Sequence, residues 1–65
     1  MDIISIIKKI KEKRELKGIS DLAVKDSLLK YFKKYSINLE NISHHNLKIV
    51  VKDIRSELRF YVGQY

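Results

Sequence analysis

Four basic side chains on the last third of the chain are its clearest candidates for chemistry: Lys48, Lys52, Arg55 and Arg59. At 100° per residue they lie within about 60° of one another on a helix, and the row is roughly 16 Å long. Phosphates repeat at about 3.4 Å along one nucleic-acid strand, so the row can follow several of them. We therefore expect these side chains to bind a nucleic-acid backbone, supported by three lysines of the preceding segment, Lys30, Lys33 and Lys34.

The other flank of the same predicted helix carries acidic and large apolar residues. Asp53 and Glu57 are the alternative partners of the basic row, although the helical wheel directs them to a different side. Ile49 and Phe60 fall about 150° from the expected core direction. They predict a docking surface or a stacking platform for an unpaired base. The alternative is that the loop at residues 36–42 covers both of them.

The sequence predicts neither a metal centre nor an enzyme. His44 and His45 point about 100° apart on a helix, whereas zinc needs three or four convergent ligands. The chain has two His and no Cys to supply them. It also has no Gly-rich phosphate loop, no HExxH motif and no nucleophile elbow. We therefore expect no catalytic residue, no metal and no cofactor.

Three segments must position these residues, and each opens with the same combination. Asp2, Ser20 and Ser43 can each cap the free N–H groups of a first helical turn. The residue before each cap and the fourth helical residue are both apolar, which is the spacing of a hydrophobic staple. The apolar periodicity that follows predicts helices over about 2–15, 20–35 and 44–62. Gly18 suits a left-handed stop after the first of them.

The predicted core is one apolar stripe from each helix. Short connections imply that these helices are neighbours, and we expect an all-α, compact three-helix bundle that forms a single domain over residues 1–65. The stripes are Ile3, Ile6, Ile7 and Ile10; Val24, Leu28, Tyr31, Phe32 and Tyr35; and Leu47, Val50, Val51, Ile54, Leu58, Tyr61 and Val62.

Composition narrows the possible partners. The chain has 14 Lys and Arg against 8 Asp and Glu, a net charge of +6 that favours a polyanion. Its apolar content of 45% is too high for a disordered chain, and the lack of cysteine excludes a disulfide scaffold. No apolar run approaches the ~18 residues of a membrane span. We therefore expect a cytoplasmic protein without a membrane partner.

The order of the motifs resembles the N-terminal helical region of aminoglycoside-resistance-type 16S rRNA guanine methyltransferases and archaeal relatives. The matching stretches are KKIKEKRELKGIS, YFKKY and VVKDIRSELRFYVGQY. Lys52, Arg55, Leu58 and Arg59 take the places of the family's basic helix pattern, and Tyr61, Gly63 and Tyr65 those of its aromatic tail. The resemblance implies a module that binds small-subunit rRNA. In the family a methyl-donor-binding domain follows, so we expect an excised domain or a free-standing relative.

The first hypothesis is thus a helical RNA-binding module. A protein-interaction or dimerisation module that uses Ile49 and Phe60 is the main alternative. A small helix-turn-helix DNA-binding protein is a further one, although at least about seven residues precede the third helix where that motif has a 3–4-residue turn. Binding of a membrane surface by the first helix ranks last, because its Ile face is explained more simply as core.

Overall fold

Three helices make up most of the chain. A computed structural model describes the backbone of residues 2–62 and the side chains of residues 2–60. Helix α1 is Ile3–Ile10, α2 is Asp21–Lys34 and α3 is His44–Val62. The connections contain a first 3₁₀ turn, Arg14–Leu16, and a second, Leu39–Asn41. Every element of the described residues is helical, and the three helices pack on one another, which confirms the predicted all-α three-helix bundle.

Each helix begins at its predicted cap. The Asp2 carboxylate accepts a hydrogen bond from the Ser5 amide at 2.8 Å. The hydroxyls of Ser20 and Ser43 accept the equivalent bond from the amide three residues later, at 3.2 Å and 3.1 Å. The bond from Ser5 also lowers the pKa of Asp2, because it stabilises the charged carboxylate. Local side-chain chemistry therefore fixes where all three helices start.

The core follows the predicted stripes with a few differences, and Ile3 at the start of the first stripe is only partly buried. Tyr35 is 55% exposed, so its predicted burial is wrong, and Tyr31 is only partly buried. Leu16, which was not expected in the core, is fully buried. Tyr61 and Val62 lie outside the described side chains. The buried residues are Ile6, Ile7, Ile10, Leu16, Val24, Leu28, Phe32, Leu47, Val50, Val51, Ile54 and Leu58.

Helix α1 ends at Ile10, so the predicted extension of the first helix to residue 15 is wrong. In one continuous helix, Leu16 would point about 130° away from the isoleucine stripe and into solvent. Because the chain leaves the helix at Ile10 and forms the first 3₁₀ turn, Leu16 returns to the core instead. Burial of one large apolar side chain thus explains the early end of α1.

Helix α2 ends in a Schellman motif. The amide of Ile37 donates to the Phe32 carbonyl at 2.9 Å, and that of Ser36 to the Lys33 carbonyl at 3.4 Å. Ser36 has a φ of 54° and takes the left-handed position, which glycine usually occupies. Gly18 does not have a positive φ, so the predicted left-handed stop there is wrong.

Glycine should be the more stable choice at position 36 and the less stable choice at position 18. Ser36→Gly should raise the free energy of unfolding by about 0.5–1 kcal/mol, because it removes the steric cost of a left-handed Cβ. Gly18→Ala should also raise it, by about 0.4–1 kcal/mol, because a Cβ there meets nothing within 4 Å and the unfolded chain loses freedom. Urea denaturation measures both, with Ser36→Ala as the control that keeps the left-handed Cβ. A destabilised Ser36→Gly protein would contradict the assignment.

Candidate nucleic-acid interface

The predicted basic row of α3 divides into two pairs of side chains. Lys48 and Lys52 are exposed on the surface. Arg55 and Arg59 instead contact the segment that leaves α1. The row therefore offers two lysines without an ion pair among the described residues, and two arginines with partners inside the protein.

Arg55 closes the end of α1. Its Nε donates to the Ile10 carbonyl at 3.3 Å, and a terminal guanidinium nitrogen donates to the Lys9 carbonyl. The same nitrogen lies 3.9 Å from a carboxylate oxygen of Glu12, and the Arg55 side chain is only 19% exposed. The last carbonyls of a helix have no partners within it and carry the negative end of its dipole. We therefore assign Arg55 to the fold and leave it out of the candidate phosphate contacts.

Arg59 fastens the first 3₁₀ turn to α3. Its Nε lies 2.8 Å from a carboxylate oxygen of Glu15, and both side chains are about half exposed. The pKa of Glu15 is lowered by a hydrogen bond from its own backbone and by the charge of Arg59. Because a guanidinium has five N–H donors, Arg59 keeps further donors for a ligand.

The connection beside Arg59 adds basic residues that were not predicted to bind nucleic acid. Lys13, Arg14 and Lys17 are exposed and lie in or next to the first 3₁₀ turn, which packs against α3. We call the set Lys48, Lys52, Arg59, Lys13, Arg14 and Lys17 the basic face. The only signal for it in the sequence was the density of charge in residues 11–17, because the break after Ile10 is not visible in the helical pattern.

The three supporting lysines of α2 do not join the basic face. Lys30 pairs with Asp26 at 3.1 Å. Together with Lys34 it lines a groove that contains Asp53 and Glu57, on the opposite flank of α3 from Lys48. Lys33 is exposed, about 100° around α2 from Lys34. The predicted support from Lys30, Lys33 and Lys34 therefore lies on other surfaces.

The two exposed apolar residues predicted on α3 are both accessible. Phe60 is 66% exposed and Ile49 is 43% exposed. Ile49 borders an open groove of about 430 Å³ between the end of α2, the following connection and the start of α3. We call this the tyrosine–asparagine groove, after the residues that line it beside Ile49: Tyr31, Tyr35, Asn38, Asn41 and Asn46.

Tyr31 ties the wall of this groove to α3. Its hydroxyl donates to a carboxylate oxygen of Asp53 at 2.6 Å. This bond to a carboxylate, together with burial, raises the pKa of Tyr31 to about 12. The ring of Tyr35 lies 4.7 Å from that of Tyr31 between centroids, tilted by 52°. The bond from Tyr31 therefore holds one side of the groove in place.

Other exposed apolar residues lie between α1 and α2. Ile4 and Leu22 are exposed and border a shallow pocket with two lysines, Lys8 and Lys25. These residues and Phe60 give the protein-interaction alternative possible surfaces, and that alternative stays a prediction.

The described residues, 2–62, contain neither a metal-binding cluster nor a helix suited to span a membrane. His44 and His45 are both exposed, and no three His, Asp or Glu side chains among the described residues could hold one metal ion. None of the helices there combines the length and the hydropathy needed to cross a bilayer.

Comparison of the chain with protein-family models, with curated proteins and with solved structures found no match. The resemblance to rRNA methyltransferase N-terminal regions therefore stays a prediction.

Replacing Arg55 should test its role at the end of α1. Arg55→Met should lower the free energy of unfolding by about 1.5–3 kcal/mol, the range for hydrogen bonds to a charged group. Lys52→Met, the same replacement at an exposed position of α3, should change it by less than about 0.5 kcal/mol. Urea denaturation compares the two variants. Arg55→Lys keeps the charge without the planar fork and should lie between wild type and Met. Equal effects of the two Met variants would contradict the capping role.

Alkaline titration should isolate Tyr31. Because its pKa is raised from its usual value near 10 to about 12, folded Tyr31 stays protonated where an unfolded tyrosine ionises. Its contribution to stability is therefore complete below about pH 10 and is lost as pH rises through 12. Phenolate absorbance should show a late phase that Asp53→Asn moves toward pH 10. Glu57→Gln, which removes the same charge one turn later, should leave that phase in place, and an unchanged phase in Asp53→Asn would exclude the assigned bond.

Proposed function

We propose that this chain binds RNA through the basic face. The observation that carries the proposal is that acidic and basic side chains differ in their partners. Most acidic side chains have partners within the protein, whereas much of the basic face forms no ion pair among the described residues. Because unpaired surface lysines and arginines are the groups that neutralise phosphates, this distribution favours a polyanionic partner.

The acidic side chains are engaged in two ways. Some form ion pairs with basic residues, and others accept hydrogen bonds from an amide or a phenol. The engaged acids are Asp2, Glu12, Glu15, Asp21, Asp26 and Asp53. By contrast, Lys48, Lys52, Arg14 and Lys17 form no ion pair with any residue in the described part of the chain.

Several features favour RNA over sequence-specific reading of duplex DNA. The connection between α2 and α3 runs over residues 35–43 and contains the second 3₁₀ turn, so it is longer than a helix-turn-helix turn. Helix α2 ends in a Schellman motif, and the connection that follows lines the tyrosine–asparagine groove. Aromatic and amide side chains of this kind suit single-stranded regions.

The sequence resemblance makes small-subunit rRNA the first RNA to test. In this proposal the basic face holds phosphates and fixes the orientation of the RNA, which is the usual role of backbone contacts. The chain itself performs no chemistry. It acts in the cytoplasm as the N-terminal domain of an rRNA methyltransferase or as a relative of that domain.

Neutralising two lysines should weaken RNA binding and reduce its dependence on salt concentration. The logarithm of the affinity should fall linearly with the logarithm of the salt concentration. The double variant Lys48→Gln/Lys52→Gln should flatten that slope by about 0.7 per lysine on single strands. Filter binding of small-subunit rRNA fragments at several salt concentrations measures the slope, with duplex DNA of equal length for comparison.

A matched variant separates position from net charge. Lys8→Gln/Lys25→Gln removes the same two charges from the exposed surface between α1 and α2. It should leave most of the affinity and slope intact. Equal losses in the two double variants would show that only total charge matters and would overturn the basic face. Tighter binding of duplex DNA than of rRNA would overturn the choice of RNA.

A further inference from the structure

The tyrosine–asparagine groove differs in chemistry from the rest of this basic protein. All of the residues that line it are uncharged, although the chain carries a net charge of +6. Its volume of about 430 Å³ is within the range of small-ligand sites. We propose that it holds one unpaired nucleobase of the bound strand, an inference that rests on the proposed RNA binding.

Tyr35 supplies a surface on which a base can stack. Its side chain is 55% exposed, and the backbone turn that follows is fixed by the Schellman motif at the end of α2. Tyr31, held by Asp53, supports the ring at a centroid distance of 4.7 Å. An aromatic ring that is exposed but supported in this way is the usual platform for unpaired bases in RNA.

A cation accompanies the platform. The Lys34 ammonium lies 5.3 Å from the centroid of the Tyr35 ring, within the range of a cation–π contact. This contact places a positive charge beside the ring of the proposed stacking surface.

Three asparagines supply the groups that a base edge needs. Each amide side chain has both donors and an acceptor, as the edges of the bases do. The side-chain oxygen of Asn38 accepts from the Glu40 amide at 3.0 Å, which leaves its NH₂ group as a donor. The side chains of Asn41 and Asn46 are exposed and form no hydrogen bond among the described residues. An apolar peptide side chain would leave these amides without partners, whereas a base would use them.

The groove and the basic face approach each other at the start of α3. Ile49, at the edge of the groove, directly follows Lys48, the first cation of that face, and projects about 100° around the helix from it. A strand whose phosphates lie along Lys52 and Lys48 therefore arrives at the start of α3 beside the groove. One base turned out of the strand at that point can enter it.

An RNA without bases separates the groove from the basic face. We would compare a short single-stranded oligoribonucleotide with an abasic oligomer that has the same number of phosphates. Wild type should bind the normal oligomer about fivefold to 150-fold more tightly, the usual worth of one stacked base. Tyr35→Ala should abolish this preference without changing the affinity for the abasic oligomer, and Tyr35→Phe should retain it. Leu29→Ala, at an exposed position of α2 outside the groove, is the control.

The outcomes distinguish the two proposals. Equal and salt-dependent binding of the two oligomers by wild type would overturn the base site and leave the basic face standing. Failure of both oligomers to bind would overturn both proposals. A Tyr35→Phe protein that behaves like Tyr35→Ala would also overturn the stacking assignment, because the ring would then not be the group that matters. Unchanged affinity of Tyr35→Ala for the abasic oligomer shows that this variant is folded.

Discussion

The contact of Arg55 with the end of α1 is the interaction on which both the packing of the core and the position of the surface charges depend. Leu16 can reach the core only if α1 stops at Ile10, and stopping there leaves the Ile10 carbonyl without a helical partner and the Lys9 carbonyl with a long bond from the Glu12 amide, 3.4 Å. Unsatisfied carbonyls at a partly buried helix end are costly. The guanidinium of Arg55 satisfies them from α3, and a lysine in its place would lack the planar fork that meets two carbonyls together. The early end of α1 therefore depends on an arginine at position 55.

The same constraint decides where the positive charge lies. Once the chain leaves α1 at Ile10, residues 11–17 must pass along α3, where the ion pair of Arg59 with Glu15 holds the first 3₁₀ turn. Lys13, Arg14 and Lys17 thereby lie beside α3 instead of on a continuation of α1. An apolar requirement in the core has thus brought a basic segment against α3. Total charge alone, the first indication of a polyanion partner, did not locate it.

The features that the sequence predicted correctly depend on residues close together in the chain. Ser20 and Ser43 cap helices by bonds to amides three residues later, and the stripe of α3 is a regular helical repeat. Leu16, Tyr35 and Arg55 could not be placed in this way. The burial of Leu16 depends on a helix break, and the exposure of Tyr35 on the end of α2. The role of Arg55 depends on a carbonyl 45 residues away in the chain. Of the candidate site, Lys48, Lys52 and the exposure of Ile49 and Phe60 agree with the helical wheel of α3, because α3 is regular throughout.

The acidic flank of α3 limits how a nucleic-acid strand could lie on the proposed site. Asp53 and Glu57 line the second groove, on the side away from Lys48, and phosphates near them would be repelled. A strand on the basic face therefore cannot cross the middle of α3 to reach the tyrosine–asparagine groove. It can do so at the start of α3, where Ile49 and Asn46 precede the first acid of the helix, Asp53. The bond between Tyr31 and Asp53 lies at that boundary and serves both sides, since it supports the aromatic wall of the groove and keeps a negative charge next to it. In the proposed complex, attraction by the lysines and repulsion by the acids act together, and they lead the strand to the uncharged tyrosine–asparagine groove, which can accept a base.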